Sequence, residues 1–436
     1  MKKGNPWALF PIGVFLLVYL GLGIIFEYVI KLPMGFYKVP IVIAFMIAIL
    51  VACLQNRKLS FDKKLEIMGK SVGDKNIITM ILIFLTAGAF VGVVGRAGAQ
   101  SVAYFFLSLV PARFAMVVLF IVACFVSTAM GTSVGTITLL TPIAAEVAVS
   151  CGYDMALCVG TVVGGAMFGD NLSFISDTTI AACNGQGCDM RSKFQGNFWI
   201  ALPAAIVSVL LVFFMTKGSG GQQIAGEYDL LQIVPYLLVL AGGIVGLNVF
   251  VVLLGGIVCG SIISIVTGNV QAQNLLFQMG TGASGMFETS MVAVLVAALC
   301  GLIRENGGFD ALLYLIRKVF KGNKGGQLGI GILVGIMDVS TANNTVAIVM
   351  ANPIAKEMSQ DYKITPQRTA CLLDTFSCIF QGLIPYGAQL LVAASVVVDM
   401  HYEISALDIM PNLFYPYLLL ISSLVAIYLP SFKREK

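Results

Sequence analysis

Long uncharged apolar runs recur along the chain with short polar intervals between them. They cover Trp7 to Phe26, Val39 to Asn56, Asn76 to Gly95, Phe114 to Ala145, Phe194 to Thr216, Leu230 to Phe287, Thr375 to Val398 and Ile409 to Phe432. A helix needs roughly 20 apolar residues to cross a hydrocarbon core, and helices satisfy their own backbone there. Doubled and interrupted runs bring the expectation to about 10 to 13 membrane elements, re-entrant ones included. The first run is as long as the others and is read as a spanning helix, not as a cleaved signal peptide. The fold class is all-α and polytopic.

Against this background the polar interruptions stand out. Gly160 to Thr179, GTVVGGAMFGDNLSFISDTT, places Asp170, Asn171, Ser173, Ser176, Asp177, Thr178 and Thr179 in an otherwise apolar region. A charge at the bilayer centre costs about 2.5 to 3.5 kcal/mol even on the lenient insertion scale, so such residues face the bundle interior or water and mark an ion or substrate pathway. GTSVGT, Gly131 to Thr136, sets Thr132, Ser133 and Thr136 in the middle of one uncharged run, with Pro142 following. The second half offers Thr341, Asn343, Asn344 and Thr345 in STANNT, and Asp374, Ser377 and Gln381 in DTFSCIFQGLIPYGAQ, with Pro385 and Gly387 as breakers. Glycine and proline permit re-entrant or broken helices whose freed carbonyls can coordinate a cation. Two hairpin tips and two unwound helices are expected to meet.

Plainer readings stand beside this one. Small residues and hydroxyls also serve helix packing in membranes. Asp170 could cap a helix and Asp177 could pair with Arg191 or Lys193. The two are seven residues apart, two turns of one face if their helix is continuous. Glu288, Asp338 and Asp374 are either further titrating groups or interfacial charges.

Composition agrees with the runs: 58% of the 436 residues are hydrophobic and 11% charged, with mean hydropathy +0.94, against about 25% charged in a soluble domain. A net charge of +4 says less than its placement. Lys2 and Lys3 precede the first run, and Arg57, Lys58, Lys63, Lys64, Lys70 and Lys75 follow the second, whereas only Lys31 and Lys38 lie between them. Positive loops stay in the cytoplasm. The N-terminus is therefore expected inside, with the C-terminal Lys433, Arg434 and Lys436 on the same side and an even number of full crossings. Asp62, Glu66 and Asp74 dilute the basic loop, which favours a topology signal over a lipid-headgroup or nucleic-acid patch, and no nucleic-acid partner is expected. Most of the ten cysteines lie in apolar runs, and Cys183 and Cys188 have no second pair or histidine with which to build a zinc site.

The chain also looks built twice. STAM (Ser127 to Met130) then PIAAE (Pro142 to Glu146) is answered by STAN (Ser340 to Asn343) then PIAKE (Pro353 to Glu357). GRAGAQSVAYF from Gly95 is echoed by IRENGGFDALLY from Ile303, with Arg96 and Arg304 each ending an apolar run. Residues 1–216 form the first membrane repeat, 217–229 a polar glycine-rich linker and 230–436 the second membrane repeat. Repeats inserted in opposite senses are a common carrier plan, with the site at their interface.

GTSVGT together with GDNLSFISDTT (Gly169 to Thr179) resembles the NhaC-type sodium/proton antiporter family, a branch of the ion transporter superfamily. LLDTFSCIFQGLIPYGAQ is similar to that family's later aspartate-to-IPW segment, with Asp374 at its aspartate and Tyr386 in place of Trp. The resemblance implies two inverted repeats with re-entrant hairpins and broken transmembrane helices, and exchange of sodium against protons or organic solutes. It also implies a multi-pass protein of the cell inner membrane and a homodimer. The chain departs from the family where Asn171, Leu172 and Phe174 replace the histidine and proline of a GDHCSPISDTT pattern, and where Asn343 and Asn344 replace an acidic tip. The sole histidine, His401, lies beyond an apolar run. The loss of the family's histidine leaves proton coupling to carboxylates, or removes it.

Two transport readings follow. In the first, an antiporter, Asp170 or Asp177 with Asp374 binds Na⁺ when ionised and H⁺ when protonated; oxygen ligands suit this hard cation. In the second, a sodium-coupled carrier takes an amino acid or small carboxylate through half-helix N-termini and the amides of Asn171, Asn343, Asn344, Gln381 and Gln389. No cofactor is expected beyond Na⁺ as transported or coupling ion. An intramembrane enzyme finds no support, since no HExxH, no histidine beside a serine or cysteine and no cofactor fingerprint occurs.

Overall fold

The computed structural model describes residues 4–32, 35–216, 226–245, 247–341, 343–385 and 387–429. Most of the linker (217–225), Tyr386 and the terminal Lys2, Lys3, Lys433, Arg434 and Lys436 lie outside the described residues, as does the side chain of Arg96. Among the described residues every regular element is helical. The first half contains α1 (Phe10–Ile24), α2 (Ile41–Leu54), α3 (Phe61–Val72), α4 (Lys75–Ser108), α5 (Ala115–Met130), α6 (Ser133–Cys151), α7 (Met155–Leu172), α8 (Asp177–Gln186) and α9 (Met190–Met215). The second contains α10 (Val234–Val245), α11 (Val249–Val266), α12 (Leu275–Ser284), α13 (Phe287–Glu305), α14 (Gly308–Val319), α15 (Gly322–Thr341), α16 (Asn344–Asp361), α17 (Pro366–Leu383), α18 (Ala388–Asp399), α19 (Ala406–Ile409) and α20 (Phe414–Tyr428).

Six described helical segments are long and apolar enough to cross a membrane. Two further pairs do so only if each bent pair is one span, with bends of 42° between α17 and α18 and 49° at the start of α20. Three shorter apolar helices, Ile41–Leu54, Leu230–Gly242 and Phe250–Val266, fall below that length.

The uncharged run from Phe114 breaks where the polar motif predicted, but the breaker is glycine. Gly131 takes φ +72°, a left-handed conformation open to glycine at little cost, and closes α5 by donating its N–H to Ser127 O at 2.9 Å. Thr132 then turns extended (φ −154°, ψ 123°), and its side chain accepts from Gly135 N to start α6. Pro142 lies inside α6. Asn343 repeats this turn in the second half (φ −149°, ψ 116°), accepting from Val346 N to start α16, and Pro353 lies inside that helix.

The elements of the two halves keep one displacement of 211 residues: α6 and α16 begin at 133 and 344, α7 and α17 at 155 and 366, α8 and α18 at 177 and 388. The two halves differ in continuity after α3, within the same register. Where the first half has the continuous α4, the second has α13 and α14, parted at Gly307 with φ +79°.

By internal contacts the chain divides into two compact units, each drawn from both halves. Unit 1 comprises Met1–Leu82, Ala181–Cys188 and Phe287–Ser377. Within it α13 lies against α2 and α3, α15 runs along α16, and Phe15 stacks on Phe45 with ring centroids 4.0 Å apart. The basic stretch after α2 is not simply a loop: it folds into α3, whose Lys64 is buried and donates to Cys53 O and Gln55 O, the open carbonyls at the end of α2. Unit 2 comprises Ile83–Ile180, Asp189–Met286 and Cys378–Lys436. Its centre is α7, packed by α5, α6 and α9.

Candidate functional site

In unit 2 the chain unwinds between Leu172 and Asp177, so Asp170 and Asp177 are not on one continuous helix. The break is held from three sides. From α5, Ser127 donates to Ala166 O at 2.6 Å and Thr128 to Gly169 O at 3.2 Å, while Ser173 Oγ returns a hydrogen bond to Thr128 O at 2.7 Å. From α9, Lys193 Nζ donates to Asn171 O at 2.8 Å and to Thr179 Oγ1 at 2.7 Å, and Asn197, one turn later, donates to Asn171 O at 3.0 Å. From α20, Tyr415 OH accepts from Asn171 Nδ2 at 3.0 Å. A cation at the open C-terminal end of α7 matches the negative pole of the helix. Lys193 therefore splints the two half-helices.

Asp170 sits in the last turn of α7 with 4% exposure. Its Oδ2 accepts from Ser133 Oγ at 3.2 Å, and Ser133 Oγ in turn accepts from Gln389 Nε2 at 3.1 Å. Ser133 is the first residue of α6 after the glycine break, and Gln389 is near the start of α18, after the second break. One carboxylate, one hydroxyl and one amide are thus brought together by three interrupted helices. Because Gln389 spends its Nε2 on Ser133, its Oε1 points elsewhere, buried and without a hydrogen-bond partner among the described residues.

The other predicted residues fall into separate groups. Thr132 uses its hydroxyl as a cap. Ser176 and Thr178 share a hydrogen bond of 2.6 Å, and half-buried Asp177 accepts from Thr178 N at 2.9 Å in the first turn of α8. Gln381 is fully buried in unit 2, against Gly387. In unit 1, Thr341 donates to Asn343 O at 3.1 Å, Asn344 Oδ1 accepts from Thr345 N at 3.0 Å, and Ser377 donates to Asp374 O at 2.9 Å. Asp374 and Ser377 are buried. The predicted set thus divides between the units, with Asp170, Ser133 and Asn171 in one and Asp374, Asn343 and Asn344 in the other.

Two features went unread in the sequence. In the sequence Gln389 reads only as an amide for an organic solute; its place three residues after Tyr386, following the Pro385 and Gly387 breakers, is the available signal. A second polar knot lies in unit 1, where Asn352 Nδ2 donates to Ala181 O at 2.7 Å and Gln186 Nε2 donates to Asn352 Oδ1 at 2.7 Å. Asn352 lies just before Pro353 inside an apolar helix, as an isolated amide that no motif marks.

Comparison with known proteins gives a consistent picture. A sequence profile of the Na+/H+ antiporter family matches residues 11–216 and 224–432. The Na(+)/H(+) antiporter NhaC of Bacillus subtilis is 23% identical over 399 residues, covering 83% of this chain and 86% of that protein. The malate-2H(+)/Na(+)-lactate antiporter of the same organism is 26% identical over 226 residues, covering 51% of this chain but only 47% of that protein. Among solved structures, the crystal structure of the Alcanivorax borkumensis YdaH transporter, described as having an unusual topology, aligns with TM-score 0.65 at 13% identity. It covers 88% of this chain and 97% of that one, a likeness of fold.

Proposed function

The chain belongs to the Na+/H+ antiporter family, and on that footing we propose that this multi-pass membrane protein exchanges Na⁺ for H⁺ through the buried Asp170. The observation that carries the reading is the Asp170–Ser133–Gln389 chain at the meeting of three interrupted helices. Its oxygens, the Asp170 carboxylate and the Ser133 hydroxyl, are hard ligands. A bound Na⁺ would draw the Ser133 proton away from Asp170 and leave its lone pairs facing the ion. Without the ion, a buried carboxylate is costly when charged. The site is then stable with Na⁺ bound and costly without it, so that release of Na⁺ is coupled to proton uptake, which is the requirement for exchange. Asp177, with Ser173, Ser176, Thr178 and Gln381, in unit 2, and Asp374, with Ser377, Thr341, Asn343 and Asn344, in unit 1, are proposed as further ion- or substrate-binding residues.

The second reading, a sodium-coupled carrier of an amino acid or small carboxylate, draws support from the similarity to a malate/lactate exchanger and from the amide of Asn171, oriented by Tyr415. Placement in the cell inner membrane is proposed on the family resemblance, and a cytoplasmic N-terminus is proposed with support from the basic residues before α1 and around α3. Homodimerisation is likewise a proposal.

The test uses purified protein in liposomes with a pH dye inside. A sodium pulse is expected to shift internal pH in wild type and to give no shift in Asp170→Asn. A flat trace from wild type, with sodium-dependent uptake of a labelled carboxylate, would replace antiport with the second reading.

A further inference from the structure

Unit 1 contains a carboxylate that the proposed cation site does not use. Asp338 on α15 has 0% exposure, and neither Oδ1 nor Oδ2 has a hydrogen-bond partner among the described residues. An ionised carboxylate taken out of water with nothing to replace its hydration costs several kcal/mol. In this conformation the group is accommodated as the neutral acid, that is, with its proton on.

Among the described residues no counter-charge is hydrogen-bonded to it. The helices packed against α15 are α16 and α1, with Phe376 of α17 lying over Gly331. On α16 the titratable groups are Lys356, Glu357 and Asp361, all in its last turns; Lys356 donates to Gly185 O at 3.3 Å and Glu357 pairs with Arg304 at 3.0 Å. Tyr19 is the titratable group of α1, and Lys324 lies in the first turn of α15 itself. On the unit 1 part of α17 they are Arg368, which donates to Gln327 at 2.8 Å, Cys371 and Asp374. None of them is hydrogen-bonded to Asp338.

Its position is as informative as its isolation. Asp338 is one turn before Thr341, where α15 ends at the hairpin tip. Displaced by 211 residues (338 to 127), the first half has Ser127, equally buried and satisfied by Ala166 O. The fold therefore tolerates a small neutral group at this register, and a serine or an apolar residue would be the stable choice. The second hairpin has an ionisable group there instead.

We propose that Asp338 is the proton-carrying residue of the exchange, separate from the Asp170 cation site. It takes a proton from water on one side, crosses as the neutral acid inside unit 1, and releases the same proton to water on the other. No redox partner or leaving group is involved. The proposal rests on the antiport reading above, and its test separates the two.

Full-length wild type, Asp338→Asn, Asp338→Ser, Asp338→Glu and Asp170→Asn are compared in liposomes by two readouts, ²²Na⁺/Na⁺ counterflow and the sodium-driven pH change. Asp338→Asn and Asp338→Ser, the latter copying the first hairpin, are expected to keep counterflow within about twofold of wild type, with a flattened pH profile. Both should lose at least about tenfold of the pH change, because an uncharged side chain carries no proton. Asp338→Glu restores the pH change with a displaced pH profile, whereas Asp170→Asn loses both fluxes. A wild-type pH profile in Asp338→Asn overturns the assignment. So does a parallel loss of both fluxes in all three Asp338 variants that elute as monodisperse protein, which marks a structural role. Counterflow without any pH change in wild type itself removes the antiport reading, and this proposal with it.

Discussion

The two hairpins are built on one register but packed by opposite means. In the first, Gly165 of α7 lies against the backbone oxygen of Phe120 on α5, so the helices approach backbone to backbone. Displaced by 211 residues, these positions become Phe376 on α17 and Gly331 on α15 (165 to 376, 120 to 331), and there the phenylalanine ring covers the glycine. Glycine and phenylalanine have changed helices. Close approach lets α5 hydroxyls reach α7 carbonyls and fix the last turn that holds Asp170. A ring in the gap keeps α15 and α17 further apart. The first arrangement suits a fixed ligand position, and the second an element whose packing can change.

The largest way to test that contrast is to add one methyl group to each side. Gly165→Ala puts a Cβ 2.6 Å from Phe120 O and 2.9 Å from Ala123 Cβ, so a backbone would have to move. At Gly331→Ala the nearest atoms to the new Cβ belong to the Phe376 ring, at 2.7–2.8 Å, so a side chain and not a backbone has to shift. Overpacking of the first kind costs about 1–3 kcal/mol or more. Gly165→Ala is expected to give the lower Tm and the smaller monodisperse yield in detergent; equal losses would erase the distinction.

Next in size is Lys193→Met. The position displaced by 211 residues (193 to 404) is Ile404, so the second break has no matching ammonium. Removing the charge leaves Asn171 O with only Asn197 and deprives Thr179 of a donor, at about 1–3 kcal/mol for a buried group left unsatisfied. The variant should lower Tm and weaken sodium-driven exchange, whereas Ile404→Met should do neither.

The turns themselves should behave alike. Thr132 and Asn343 have nearly the same dihedral angles and each caps the N–H three residues on. Thr132→Ala and Asn343→Ala are expected to cost about 1 kcal/mol each, read as similar falls in Tm. A clear difference would mean that one side chain does something besides capping.

How far the sequence reached depends on range. Apolar runs, hairpin positions and both breaks were legible because each is a local matter of hydropathy or of a glycine at its turn, as at Gly131. Thr132 and Ser133 could be recognised as polar in a run, but their division of labour could not: one caps, and the other turns to Asp170. That contact joins residues far apart in the chain, as does Gln389 on Ser133, and nothing local encodes it. Pro142 misled for a related reason: a proline within a helix is tolerated where neighbouring helices support the backbone it disrupts.

The smallest expected effect contrasts the peripheral helices. α3 contains Lys63, Glu66 and Lys70, whereas α12, its counterpart in register, has no charged residue. Hydrogen bonds from Lys63 and then Lys70, at 2.8 and 3.0 Å, hold the Glu66 carboxyl down at about 2. A carboxyl depressed on folding adds stability above its ordinary range of about 4.3, and that stability is lost as pH falls from there towards about 2. The pair is open to solvent, so screening leaves little of it. In Tm measured against pH at low salt, wild type should therefore lose slightly more than Glu66→Gln between pH about 5 and about 2, and the curves should coincide at about 1 M salt. A separation that survives salt would mean that Glu66 is shielded by the membrane surface or by a second copy of the chain, and that α3 belongs to an interface that α12 lacks.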